Sequence, residues 1–332
     1  MYYHLLHLRA KPGEFRVSLL GNRLFILILL LIPGSVLAQS LSRFTFTHYQ
    51  MGTQFRIILY AESSAKANQA SDLAFARLDE LNQRLSDYLP NSELNRLCKR
   101  AGERSKILVS QDLWQVLRIS QNISRKSGGA FDVSIGPLSH AWRTAFRRKA
   151  FPGEISIAKA KEKVNFKWIR ANRKDTVVKL RKEGMQLDLG GIAKGYAADK
   201  MAEVLQNEDC SQFLIDAGGD LLLGAPPPER KGGRVAMAQA DGPPEILSDC
   251  AVATSGDTYQ YLEHKGKRYS HIIDPRTGYG LIDQKQVTVV APTATLADAL
   301  ASALSVLGEK EGLKLLRKFQ GSSATFQEPR NK

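Results

Sequence analysis

The sequence predicts an α+β fold, in which helices and short strands mix without the regular alternation of a doubly wound sheet. Three observations lead there. Apolar residues tend to alternate between positions 44 and 60, as at Phe44, Phe46, Phe55, Ile57 and Leu59, which is the period of a strand. Ala74, Leu78, Leu81 and Leu85 then recur at helical spacing. From residue 187 onward, short apolar runs and helical stretches follow one another irregularly, separated by glycine turns. With 332 residues, 43% hydrophobic and 24% charged, the chain can bury a full core and does not have the composition of a disordered protein.

The elements follow in order. Arg9, Lys11, Arg16 and Arg23 precede an apolar run over residues 24–32, broken by Pro33-Gly34, and Val36-Leu37-Ala38 precedes Gln39. That is the layout of a secretory signal peptide over residues 1–38, with cleavage after Ala38. The run is shorter than the roughly 20 apolar residues of a spanning helix; an uncleaved leader holding the chain at a membrane is the alternative. Residues 39–332 form the remaining domain. Strand pattern over 44–60 is interrupted at Met51-Gly52-Thr53, and Ser63 or Ser64 stands where a cap for the first helix belongs. A second helix fits 112–126, capped by Ser110 and closed by Gly128-Gly129. Residues 147–183 are charged and weakly patterned, suiting a surface hairpin and helix, and carry no functional reading. Further strands are predicted at 187–189, 213–215, 235–238, 251–254, 269–273 and 287–290, and helices at 193–205, 295–307 and 310–319.

Net charge is +14, but Lys and Arg are scattered and form no recognition-helix or zinc-finger pattern, so nucleic acid is not the expected partner. Cys98, Cys210 and Cys250 lie too far apart for a metal-binding spacing and read as structural.

Four groups could carry chemistry. Asp298 and Ser302, at i and i+4, put a carboxylate and a hydroxyl on one helix face, a pattern that suits a hard cation. Alone, Asp298 also reads as a residue that stabilises the helix start. Asp188-Leu189-Gly190-Gly191 runs into a helix beginning near Lys194, exposing N–H groups and a mobile charge to phosphate, or forming only a tight turn. His271, with carboxylates nearby, could serve as a general base or be a structural histidine. Residues 127–138 combine glycines with Phe131, which could flank a flat ring, or form a helix end followed by a buried strand.

Their order is more telling than any one of them. Met51-Gly52-Thr53, residues 86–95 with Tyr88-Leu89-Pro90 and Ser92-Glu93-Leu94, then 129–138, 188–195, 218–220, 254–257, 270–278 and 297–302 together resemble the FAD:protein FMN transferase family, also called the ApbE or flavin transferase family. The resemblance covers residues 44–307. It implies an ApbE-like, T-fold-like arrangement of mixed, largely antiparallel sheets and packed helices, with a ligand cleft between two subregions. It implies that FAD, as substrate, contacts Met51, Tyr88, Ala130, Phe131, Asp132, Asp188, Lys194 and Ile272. It implies Mg2+ held by Asp298, Ser302 and the carbonyl of Gly191, with His271 taking the proton of the acceptor hydroxyl. The implied reaction joins FMN to Thr or Ser of a flavoprotein, such as a membrane redox-pump subunit, and releases AMP. The implied place of work is outside the cytoplasm, in the periplasm or on the outer face of the inner membrane.

Some positions depart from the pattern. Ser302 stands where the family usually has Thr, keeping the hydroxyl, and Ala301 stands where some members have a second Asp. The region 235–239 lacks the family's common Trp. Two alternatives accompany the transferase: an FAD pyrophosphatase yielding FMN and AMP, and a non-enzymatic flavin-binding protein. Storage would need neither His271 nor the Asp298–Ser302 pair.

Overall fold

A computed structural model describes residues 40–172, 174–237, 243–256, 261–283 and 285–327. The leader and its cut after Ala38, together with Ala238, Gln239 and Asp257, lie outside the described residues. The chain opens with strands β1 (Ser42–Gln50) and β2 (Thr53–Ala61), then helices α1 (Ser64–Leu85) and α2 (Glu93–Lys99). Next come β3 (Ile107–Leu108), α3 (Gln111–Lys126), α4 (Gly136–Arg148), α5 (Glu154–Lys161), β4 (Ile169–Ala171) and β5 (Val177–Leu180). The second half holds α6 (Ala193–Asn207), β6 (Phe213–Ala217), β7 (Leu221–Leu223), β8 (Gly233–Val235), β9 (Glu245–Leu247) and β10 (Cys250–Ser255). It ends with β11 (Tyr261–His264), β12 (Lys267–Ser270), β13 (Gln286–Ala291), α7 (Ala294–Leu316) and β14 (Ser323–Gln327).

The α+β expectation holds. Seven strands form one sheet in the order β1-β2-β6-β7-β10-β13-β14, every neighbouring pair antiparallel. Helices α1, α6 and α7 supply apolar faces to the main core, among them Leu78, Leu81, Met201, Leu300 and Leu304. The capping expectations hold as well: Ser63 and Ser110 each accept an amide three residues on, from Lys66 and Leu113, at 3.2 Å. Thr293 does the same for α7, which therefore starts slightly before residue 295. The two helices expected at the end are present as the two parts of α7, separated at Gly308, whose φ of 70° and ψ of 175° leave the helical region.

One local expectation is sharpened and two are corrected. Met51 and Gly52 both have positive φ and close a two-residue hairpin in which Gln50 pairs with Thr53. Residues 187–189 make no ladder; the Asp188 N–H donates to the Val133 carbonyl at 2.9 Å, and the one bridge there joins Gln186 to Ile135. The buried stretch after Gly129 is not a strand but a turn leading into α4, where Pro137 occupies the first turn, a place that needs no amide donor.

A second, smaller core joins α4 and α5 to the segment after β12. It is built from Leu138, Trp142, Ile157, Val164 and Ile273, with Tyr269 and Tyr279 packed against it. Trp142 also donates its Nε1–H to the Gly278 carbonyl at 2.9 Å. Thus part of 147–183 does structural work: α5 supports the chain segment that carries His271.

Candidate active site

Between the main core and this smaller one lies a cleft of about 1080 Å³. The turn before α6, the start of α6 and the buried face of α7 make one wall; α4 and residues 271–275 make another. Close approach of α6 to α7 sets the first wall. A Cβ at Gly195 would stand 2.2 Å from the Ala294 carbonyl oxygen, so no larger residue fits there. The Gly195 N–H donates to Asp298 Oδ2 at 3.1 Å. Asp199, one turn further along α6, accepts from the Ala294 and Thr295 amides at 2.8 and 2.9 Å and so ties down the start of α7.

These contacts bring Lys194 beside Asp298. Lys194 Nζ donates to Asp220 Oδ2 at 2.5 Å, so the charge read from sequence as mobile is anchored. Burial works against the ammonium, but the Asp298 and Asp220 carboxylates outweigh it and raise its pKa above the ordinary lysine value. Asp220 also accepts the Thr254 amide at 3.3 Å, which links this corner to the end of β10. Asp298 is 6% exposed. Burial first, and the Asp220 charge with it, push its carboxyl up to about 7 against the pull of Lys194.

The residues at this corner fit a hard divalent cation. The donors on hand, the Asp298 carboxylate, the Ser302 hydroxyl and the Gly191 carbonyl, are all oxygens. A Cβ at Gly191 would stand 2.8 Å from Ser302 Oγ, so the turn comes up close against α7. A cation would also offset the cost of keeping Asp298 ionised in a buried setting. Ala301, 2% exposed, lines the same corner and adds no ligand. Among the described residues no group of three or more His, Cys, Asp and Glu is arranged to hold a metal ion by itself.

Tyr88, Ala130, Phe131, Asp132, Asp188, Gly191, Lys194, His271, Ile272, Asp298 and Ser302 all line this one cleft. Met51 does not: its side chain packs on the main core from the β1–β2 turn. Asp132 reaches the cleft with its carboxylate already committed, one oxygen to the Ser134 amide and hydroxyl at 2.8 and 2.7 Å, the other to the Phe166 amide at 2.8 Å. His271 is exposed and stands just past the end of β12, where the Ser270 hydroxyl accepts the Ile272 amide at 3.0 Å. Sequence reasoning missed Asp220, Arg143 and Asp87. Asp220 lay within a matched segment and could have been singled out; Arg143 left no local signal, because its partners Asp87 and Asp188 are 56 and 45 residues away.

The ApbE family model matches residues 51–326. The chain belongs to the ApbE family. Among curated relatives, the FAD:protein FMN transferase of Treponema pallidum is 33% identical over 297 residues, covering 83% of this chain and 82% of the relative. That of Haemophilus influenzae is 27% identical over 282 residues, covering 81% and 82%. Among solved structures, the apo flavinyl transferase ApbE of Pseudomonas stutzeri superposes with a TM-score of 0.77 at 26% identity, covering 88% of this chain and 93% of that one. The Vibrio cholerae flavin transferase ApbE gives 0.76 at 25% identity, covering 86% and 93%. This ApbE-family chain therefore shares its fold with flavin transferases along nearly the whole described length.

Proposed function

We propose that this ApbE-family chain is a magnesium-dependent FAD:protein FMN transferase that modifies a Thr or Ser hydroxyl of a flavoprotein. One observation carries the reading: a phosphate- and cation-suited corner (Gly190, Gly191, Lys194, Asp298, Ser302) and an exposed histidine line the same cleft. FAD is the substrate that uses both. The acceptor oxygen attacks the FMN-side phosphorus of the pyrophosphate, the bond from that phosphorus to the bridging oxygen breaks, and AMP leaves. His271 would take the hydroxyl proton, which an unactivated alcohol must lose. Lys194, which lines the same cleft, would offset the negative charge that grows on the phosphate oxygens. Magnesium, held by Asp298, Ser302 and the Gly191 carbonyl, would supply charge stabilisation to the same oxygens.

The test mixes the protein with FAD, magnesium and the flavin-carrying domain of a membrane redox-pump subunit, then reads intact mass. A gain of one FMN on the acceptor, lost with a chelator and restored by magnesium, is the expected result. Free FMN and AMP with no adduct would assign the pyrophosphatase instead.

We also infer export, to the periplasm or the outer face of the inner membrane. The support is the basic stretch, apolar run and small residue of the leader. Mass spectrometry of the protein from its native cell should find a chain beginning at Gln39 outside the cytoplasm. A cytoplasmic chain that keeps residues 1–38 would overturn it.

A further inference from the structure

Tyr88 sits on the rim of the cleft, 72% exposed, yet its ring is held. The Arg143 guanidinium lies over it at 4.4 Å from the ring centroid. Arg143 comes from α4 and spans the cleft edge. One of its nitrogens donates to Asp87, the residue before Tyr88, and the other donates to Asp188 Oδ2 at 2.8 Å. Asp188 in turn accepts the Gly190 amide through Oδ1 at 2.8 Å. A continuous set of contacts thus runs from the exposed ring through Arg143 and Asp188 to the glycine turn beside Ser302.

The guanidinium also holds together two groups that would otherwise part. Burial and the Asp188 charge raise the pKa of Asp87, and the Arg143 charge opposes both. Only a planar fork can bridge two carboxylates and stack on a ring at once; a lysine ammonium cannot. With one face of Tyr88 against the guanidinium, a side chain this exposed at the cleft rim leaves its other face open.

We infer that Arg143 is a positioning residue for FAD: it fixes the Tyr88 ring as a stacking surface for one aromatic ring of the dinucleotide and ties that surface to the Asp188–Gly191 turn. The inference rests on the FAD reading above and adds which residue sets the ring end of the site. Arg143 acts through Tyr88 and Asp188 and takes no proton in the reaction.

The test measures FAD affinity by fluorescence titration and transfer kinetics for R143Q, R143K, Y88A and the double variant. R143Q should weaken FAD binding and raise KM about tenfold, with kcat held within about threefold. R143K should recover only part of the loss. The double variant should bind FAD no worse than the weaker single variant, since the two side chains act as one unit. Titration with AMP and with FMN then assigns the stacked ring, because only the fragment that carries it should lose affinity in R143Q. Binding of FAD by R143Q within about twofold of the unaltered protein, or additive losses in the double variant, would overturn the inference. A fall in kcat and thermal stability with FAD affinity unchanged would make Arg143 a structural residue only. Failure of the unaltered protein to bind FAD would sink the functional reading and this inference with it, whereas the variant results above bear on Arg143 alone.

Discussion

Replacing Asp298 with Ala should reduce FMN transfer by at least about 10³-fold at saturating FAD and magnesium. Asp298 is the carboxylate among the three proposed magnesium ligands, and Ala301 provides no substitute at the same corner. Its removal also takes away the acceptor of the Gly195 amide and one of the carboxylates that hold Lys194 charged. The rate is read from the mass of the acceptor over time, and magnesium affinity is read separately by calorimetry. Transfer within about threefold of the unaltered enzyme would remove Asp298 from the metal site, since loss of a catalytic cation costs several kcal/mol of transition-state stabilisation. Weak metal binding with intact folding would instead place the defect at the proposed metal site.

The second large effect belongs to His271. His271→Ala should slow transfer by about 10²- to 10⁴-fold, the usual worth of a positioned general base, while FAD binds as before. The split follows from placement. His271 is exposed past the end of β12, whereas the proposed phosphate corner is built from α6 and α7. Single-turnover transfer and FAD titration on the same preparation separate the two quantities. If affinity falls with the rate, His271 is a binding contact and the proton goes elsewhere.

Much of the fold was legible because its signals are local. Alternation at Phe55, Ile57 and Leu59 buries one face of β2, and all three are fully buried. The caps at Ser63 and Ser110 need only an amide three residues away. Pairing Asp298 with Ser302 needs only the pitch of a helix. Where local pattern misled, a neighbouring segment had taken over. The alternating Leu187-Asp188-Leu189 looks like a strand, but it lies beside the turn at 133–135 and ends in Gly190-Gly191 before a ladder can form. Met51 opens a matched motif, yet the positive φ shared with Gly52 makes that motif a hairpin turn facing the main core.

The sequence by itself determined the α+β class, the family resemblance and most of the residues that meet in the cleft. It did so through periods, caps and ordered motifs whose parts lie within a few residues of each other. Tertiary structure alone decided who holds them. Gly195 reaches Asp298 across 103 positions, Asp220 anchors Lys194 across 26, and Arg143 bridges Asp87 and Asp188 across 56 and 45. Such partners are chosen by how α4, α6 and α7 pack, and packing depends on the shape and volume of the whole core rather than on spacing along the chain.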